Sequence, residues 1–420
     1  MFLETIRLPG NSQLVWADAV CIDQQNLGER DQQVKLMGSI YSQAQMVLIW
    51  LGPNDHEDTE RARALIDHMT TYRMRDQETP PTLQEARDYF TMIERPLWNA
   101  FAGILRRPWF ERVWVIQEAA NASKGLFIVG DQTFLLDEFY LAADTLLHYH
   151  LGGLLQFEGP IQGPESLVCM NHIKRHILTE SEHELLGALI LTRPFNATNP
   201  KDKLFGILGL IHDGSVPGLQ VDNSMSVTQI YQNISLYFLF SVGSLRILSS
   251  VCTVPQNHPI QTPSWVPNWS FKGEGGSYTR NKHYYRATRN TKPEIWASSA
   301  DNNLVLKGNF VDKVNRFSLF QNLTPPTLTA EDGNIDFAGP LILQKAQRIN
   351  QYYVLALGNT DGLSEISSGA YDNFLRTLIC NRTMEGIEPT PAFIARVQSF
   401  VQNTQSLLLL DDWTEWYRYL

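Results

Sequence analysis

The sequence has little cysteine, no excess of positive charge and no long apolar run. Its 420 residues include four cysteines with no Cys-x-x-Cys pair, which excludes a zinc finger and a disulfide-stapled secreted module. Lysine plus arginine number 34 against 44 aspartates plus glutamates. The net charge of −10 argues against nucleic acid as a partner.

No stretch of the sequence has the character of a membrane-spanning helix. The most apolar segment, Ile234 to Cys252, is interrupted by Gly243 and Arg246, and it falls short of the roughly 18 uninterrupted residues that a span requires. The start of the chain also lacks the apolar stretch of a signal peptide. We therefore expect no membrane span and a cytoplasmic protein.

Several catalytic and cofactor motifs are missing as well. The chain has no Gly-x-Gly-x-x-Gly fingerprint, no Walker loop and no Gly-x-Ser-x-Gly elbow. Rossmann-type dinucleotide binding, P-loop NTP hydrolysis and α/β-hydrolase chemistry therefore have no support. His172 and His176 are four residues apart, but spacing places no third ligand near them. We predict no metal site and no bound cofactor.

Two apolar runs in the first part of the chain have the composition of buried strands, Leu14 to Ile22 and Met46 to Leu51. Between them, Asn26 and Glu29 have the spacing of a helix cap, and apolar residues then recur at helical intervals. A strand, helix, strand unit has parallel strands and a right-handed crossover. The pattern predicts an α/β fold with a parallel sheet covered by helices on both faces.

Further elements are predicted after this unit. The polar, charge-rich stretch 57–95 predicts helix, loop, helix on the surface. A helix over Leu97 to Leu105 should end at Arg107-Pro108, because proline disfavours the helical conformation of the residue before it. A new helix should then start near Trp109. Gly130-Asp131, between two apolar runs, predicts the turn of a hairpin.

Composition divides the chain into three regions. We predict a first domain over residues 1–155, a mainly helical region over 156–260 and a mixed, β-rich region over 261–420. In the second region, Asn199-Pro200 and Ser226 predict helix starts. In the third, the short apolar runs Leu304 to Lys307 and Tyr352 to Leu357 predict strands.

One candidate site lies at the end of the first predicted strand. Asp18, Cys21, Asp23 and Gln24 cluster there, and Arg30 opens the following helix. In an open parallel sheet, ligands bind outside the carboxyl ends of the strands, beside helix N-termini. The alternative interpretation is local: Asp18 bonds nearby backbone within the strand, Asp23 begins a turn, and Cys21 is a small buried apolar residue.

A second candidate lies in the arginine- and tryptophan-rich block that ends at Glu118. On a helix that starts near Trp109, Trp114 and Glu118 are four residues apart and share a face, so a carboxylate emerges beside an indole. Apolar surroundings raise the pKa of a glutamate, whereas Arg107 or Arg112 nearby would lower it. The alternative is an amphipathic helix whose glutamate pairs with an arginine at its rim.

Several blocks of the sequence recur in the same order in one known family. They are Trp16 to Gln24, Glu29 to Val34, Met37, Ile40-Tyr41, Ala44, Trp50 to Gly52, the block ending in Gln117-Glu118, Asp202 to Leu210 and Pro263 to Ser270. With these blocks the chain resembles the fungal heterokaryon-incompatibility (HET) domain family. That resemblance implies a protein of non-self recognition and programmed cell death, whose partner is a second copy or another incompatibility protein.

The resemblance also implies a fold and a reaction. The HET domain resembles the TIR fold, a flavodoxin-like parallel sheet, and some TIR domains cleave NAD with a glutamate four residues after a tryptophan. Trp114 and Glu118 match that spacing, so NAD is the implied substrate and Glu118 the implied catalytic carboxylate. The implied substrate pocket contains Trp114, Asp18, Cys21, Asp23, Gln24, Arg107 and Arg112.

Three features depart from the family pattern, the smallest being Ala17 where a large aliphatic residue is common. Members usually carry an upstream strand ending in Ser-Tyr-x-Trp-Gly, whereas Leu14 opens the first predicted strand here, so we expect a domain shortened at its N-terminus. Asp23 stands where asparagine is usual, which places an anion instead of an amide donor near the expected pyrophosphate. A non-catalytic interaction or signalling module of the same family is therefore the competing hypothesis.

Overall fold

The computed structural model describes residues 14–75, 81–149, 151–155, 161–177, 184–210, 221–272, 292–298 and 302–308, together with 390, 391, 394, 395, 397 and 398. Within them the protein combines helices with a small mixed sheet, which confirms the α/β class. One compact unit comprises residues 1–280 and 290–307, and a second comprises 281–289 and 308–420. The predicted strand Tyr352 to Leu357 lies outside the described residues.

Most of the described chain is helical. The helices are α1 (Asp18–Cys21), α2 (Leu27–Gln43), α3 (His56–Arg75), α4 (Leu83–Thr91), α5 (Arg95–Leu105), α6 (Val115–Asn121), α7 (Leu136–His148), α8 (Gly163–His172), α9 (Glu184–Thr192), α10 (Asp202–Leu208) and α11 (Val227–Leu236). The strands are β1 (Val47–Gly52), β2 (Gly125–Val129), β3 (Gln132–Leu135), β4 (Ile295–Ser298) and β5 (Asn303–Leu306). The remaining helical segments are short: 3-10 turns at Pro108–Glu111, Leu151–Leu155 and Leu245–Ser250, and π turns at Ile173–Ile177 and Tyr237–Ser241.

The larger sheet has the strand order β1-β2-β3. β1 runs parallel to β2, with Ile49 opposite Phe127, and β2 runs antiparallel to β3. The turn between β2 and β3 contains Gly130, whose φ of 60° is a conformation that glycine adopts without strain. The predicted hairpin is thereby confirmed, and so is the predicted strand at Met46 to Leu51. The predicted run at Leu304 to Lys307 forms β5, which pairs antiparallel with β4.

The prediction of a strand over Leu14 to Ile22 is wrong. Residues 14–17 form no regular structure, and α1 follows, because the N–H of Cys21 donates to the carbonyl of Ala17 at 2.8 Å. A strand needs a neighbour for its backbone groups, and in the described part of the chain none pairs with this segment. The predicted strand, helix, strand unit is therefore not formed there, and the parallel partner of β1 is β2.

Local helix signals hold better than this strand signal. Asn26 caps α2 by accepting a hydrogen bond from the N–H of Glu29 at 3.2 Å, as its spacing predicts. The helices predicted within 57–95 are α3 and α4, and the helix ended by Arg107-Pro108 is α5. Ser226 caps α11 in a reciprocal capping box, which confirms that start as well.

The helix expected near Trp109 begins later than predicted. Pro108–Glu111 form a 3-10 turn, Arg112 is extended with ψ 136°, and α6 begins only at Val115. The break has a physical cause, because the N–H of Val113 donates to the carbonyl of Asn196 at 2.9 Å instead of continuing the helix. Trp114 is consequently the N-cap residue of α6.

Among the described residues, none of the helices combines the length and the apolarity that a membrane crossing requires.

Candidate functional site

Glu118 lies in the first turn of α6 and is partly buried. Its Oε2 atom accepts a hydrogen bond from the indole Nε1 of Trp109 at 3.3 Å. The Trp109 ring stands edge-on to the rings of Phe110 and Phe127, each with a centroid separation of 5.1 Å. Both phenylalanines are fully buried, so the core fixes the indole and the indole positions the carboxylate.

The surroundings of Glu118 raise its pKa. Burial makes the largest contribution and the negative charge of Asp18 adds to it, while the hydrogen bond from Trp109 and the positive charge of Arg112 act in the opposite direction. Burial also raises the pKa of Tyr41, and the charges of Glu118 and Asp18 raise it further. These shifts indicate that Glu118, Asp18, Arg112 and Tyr41 belong to one electrostatic neighbourhood.

The four residues predicted at the strand end lie instead on and just after α1. Asp18, Cys21, Asp23 and Gln24 are all exposed, and the thiol of Cys21 is free, not a small buried apolar residue. Asp18 accepts from the N–H of Ala19 at 2.8 Å, and the Gln24 amide donates to the Asp18 carbonyl at 3.1 Å. Of the four, Asp18 is the one whose charge acts on Glu118.

The two arginines of the candidate site have different surroundings. Arg107 donates to the carbonyls of Leu51 at 2.5 Å and Pro53 at 3.0 Å, and to Oδ1 of Asn54 at 3.0 Å. Arg107 therefore stabilises the carboxyl end of β1 and the two residues bonded to it just after the strand. Arg112 has an exposed side chain, and its charge lowers the pKa of Glu118, which favours the anionic carboxylate.

Trp114 has a polar partner of its own. Its indole Nε1 donates to Oδ2 of Asp202, in the first turn of α10, at 3.0 Å. Burial raises the pKa of Asp202, and the hydrogen bond from Trp114 acts against that shift. Although Trp114 and Glu118 are one helical turn apart, the indole bonded to Glu118 is that of Trp109.

Sequence reasoning missed Trp109, Tyr41 and Asp202 as partners of the candidate residues. Trp109 is nine positions before Glu118, a distance that matches no helical repeat, and the extended residue Arg112 makes the contact possible. In the sequence, Asp202 stands out only as the first residue of the block Asp202 to Leu210. The spacing of residues in one element carries no information about such contacts between elements.

We expect Asp202→Ala to lower the free energy of unfolding by about 1–2 kcal/mol, because it leaves the Trp114 indole N–H in a partly buried place without its acceptor. Asp202→Asn keeps an acceptor oxygen of the same size and should recover most of that loss. Urea unfolding followed by tryptophan fluorescence measures both variants. Equal losses in the two variants would show that the hydrogen bond contributes nothing.

Comparisons with known proteins bear on the same region. A family model described as heterokaryon incompatibility protein (HET) matches residues 1–118, a range that ends at Glu118. Heterokaryon incompatibility protein 6, OR allele, of Neurospora crassa is 24% identical over 350 residues, which cover 70% of this chain and 50% of the relative. The chain thus spans about half the length of the curated relative that it matches. No solved structure matches the chain.

Proposed function

We propose that this chain, which is a HET-domain protein through residues 1–118, acts in fungal non-self recognition by cleaving NAD between nicotinamide and ribose. The family match and the likeness to a Neurospora crassa incompatibility protein support the role in non-self recognition. One observation carries the proposed reaction: Glu118 is a partly buried carboxylate with a raised pKa, held by an indole N–H. Perturbed carboxylates of this kind cluster at functional sites.

The proposal includes a TIR-like sheet in this domain and growth arrest or cell death as the outcome of NAD loss. The parallel pairing of β1 with β2 is compatible with such a sheet, whose strand ends would carry the nucleotide. Trp114, Cys21, Asp23, Gln24 and Arg107 remain predicted pocket residues.

In the proposed reaction the bond between ribosyl C1′ and the nicotinamide nitrogen breaks, and its electron pair leaves with nicotinamide, which becomes neutral. An oxocarbenium ion develops at C1′, and a water molecule adds its oxygen there and releases one proton. The products are nicotinamide, ADP-ribose and H⁺. The Glu118 carboxylate stabilises the developing positive charge, or holds the ribose hydroxyls, in a site of lowered polarity.

The neighbours of Glu118 have separate tasks in this scheme. Trp109 is a positioning residue, because its N–H fixes one carboxylate oxygen. Arg112 favours the charged form of the carboxylate that the transition state requires. Asp18 adds negative charge to the same neighbourhood, which favours the cationic ring of the substrate.

A second candidate function, self-association without catalysis, has one observation in its favour. Leu14, Val15 and Val20 are 106%, 46% and 79% exposed, so the segment before and within α1 presents apolar side chains to solvent. Exposed apolar groups of this kind are typical of protein–protein contacts. In this case Glu118 is a structural acid bonded to Trp109.

Incubating the purified chain with NAD tests the proposal, with nicotinamide release measured by chromatography. The matched control is an NAD analogue in which a methylene replaces the ring oxygen of the nicotinamide ribose, because it forms no oxocarbenium ion. We expect release from NAD, no release from the analogue, and growth arrest with falling cellular NAD when a fungal host expresses the chain. Growth arrest at constant NAD, without release in vitro, would contradict cleavage and favour self-association.

A further inference from the structure

Two cations are buried side by side between the end of α9 and the start of α10. Arg193 is 4% exposed and Lys203 is 5% exposed. Ser250, which is fully buried, and Trp269, 1% exposed, adjoin the guanidinium. We propose that Arg193, Lys203, Ser250 and Trp269 form a buried binding site for a phosphate group.

The guanidinium of Arg193 has unused hydrogen-bond donors. Its Nη2 donates to the carbonyl of Ser250 at 2.7 Å, whereas Nε and Nη1 are buried without a partner. The Trp269 ring centroid lies 4.7 Å from the guanidinium carbon, and the indole Nε1 is also buried without a partner. The same holds for the hydroxyl of Ser250. Buried polar atoms are normally hydrogen-bonded, so four unpartnered atoms, two on the guanidinium and one on each of the two adjoining residues, indicate a missing acceptor.

Lys203 brings a second positive charge to the same place. Its ammonium donates to the carbonyl of Arg193 at 2.8 Å and to the carbonyl of Phe195. These two bonds tie the residues after α9 to the first turn of α10 and leave one ammonium proton for a further acceptor.

No described acid compensates these charges. Arg193 and Lys203 form no ion pair with a carboxylate in the described part of the chain. Burial lowers the pKa of Arg193, and it lowers that of Lys203 to about 8, where the charges of Lys272 and Arg193 add to the effect. Buried charges without a counterion are costly, and a bound anion would lower that cost.

Phosphate suits this arrangement better than a carboxylate. A dianionic phosphate balances two buried cations and offers more acceptor oxygens than the two of a carboxylate, for donors on four side chains. Lys272 is exposed, and its charge acts on Lys203, so positive charge extends from the buried pair toward solvent. The ligand is inorganic phosphate or the phosphate group of a small metabolite.

Equilibrium dialysis of the full chain with labelled inorganic phosphate tests the proposal, with acetate, glycerol phosphate and unlabelled inorganic phosphate as competitors. We expect saturable binding with one phosphate per chain and no competition by acetate. Stronger competition by glycerol phosphate than by unlabelled phosphate would identify an organic phosphate as the ligand, and equal or weaker competition would identify phosphate itself. Absence of saturable binding of either phosphate, or displacement by acetate at equal ionic strength, would overturn the proposal.

Substitutions locate the site. Lys203→Met and Arg193→Gln should each weaken phosphate binding at least tenfold, because each removes a charge-assisted hydrogen bond. Ser250→Ala, which changes little volume, should weaken it by a smaller factor and guards against loss of folding in the other two. Lys124→Met removes an exposed lysine and should leave binding unchanged. Unaltered binding in all three site variants would contradict the proposal.

Discussion

Glu118→Gln is expected to lower the rate of nicotinamide release by about 100- to 1000-fold, the loss typical of removing one preorganised electrostatic group from an active site. Glutamine has the size of glutamate, and its amide oxygen can accept the 3.3 Å hydrogen bond from Trp109. The variant therefore removes the negative charge and little else. Steady-state rates of nicotinamide release by the purified variant measure the effect.

The matched control for this variant is Glu111→Gln. Glu111 belongs to the same arginine- and tryptophan-rich block, but its carboxylate accepts from the Asn196 side chain at 2.7 Å. We expect this variant to keep nearly the full rate. Equal rates in wild type and Glu118→Gln would remove Glu118 from the reaction, and equal losses in both variants would assign the effect to the fold of the block.

The pH dependence follows from the raised pKa of Glu118. The proposed reaction needs the carboxylate ionised, so the rate should fall as pH drops through that pKa, above the usual glutamate range. The free energy of unfolding changes with pH in the opposite direction from the rate. Between the unfolded and the folded pKa, the native state holds more protons, so the free energy of unfolding decreases as pH rises. Glu118→Gln should remove this decrease.

The sequence predicts those features that depend on neighbouring residues in the chain. Asn26 accepts its predicted cap bond, Arg107-Pro108 follows the end of α5, and Gly130-Asp131 closes the predicted hairpin. Each signal is a backbone preference or a local hydrogen bond. Leu14 to Ile22 failed because its composition indicates a strand only when another strand pairs with it.

The candidate site shows the same division. Glu118 is identified from its spacing to Trp114, yet its pKa is shifted first by burial and then by Trp109, Arg112 and Asp18. Asp18 lies in α1 and Arg112 lies in the break before α6. No periodicity in the sequence places them together. The sequence therefore predicts the candidate carboxylate but not the residues that surround it.

The packing of α2 against the end of α10 and against α6 depends on two glycines. Gly38, buried within α2, lies against Gly209, which follows α10. A Cβ atom added at Gly38 would overlap the carbonyl oxygen of Gly209 and lie 3.0 Å from its carbonyl carbon. A Cβ atom added at Gly209 would in turn overlap the buried side chain of Gln117 in α6. Gly209 therefore lies between the backbone of α2 and the Gln117 side chain of α6, with no space for a side chain of its own.

Gly38→Ala is accordingly expected to lower the free energy of unfolding by about 3 kcal/mol, since overlap with backbone is relieved only by moving a helix, and this cost exceeds the roughly 1 kcal/mol that alanine gains over glycine in a helix. Gly103→Ala is the matched control, because Gly103 is exposed in α5 with no atom within 4 Å of an added Cβ. That variant should gain up to about 1 kcal/mol. Denaturant unfolding of both variants measures the difference, and a Gly38→Ala protein as stable as Gly103→Ala would mean that α2 and the end of α10 are not packed together.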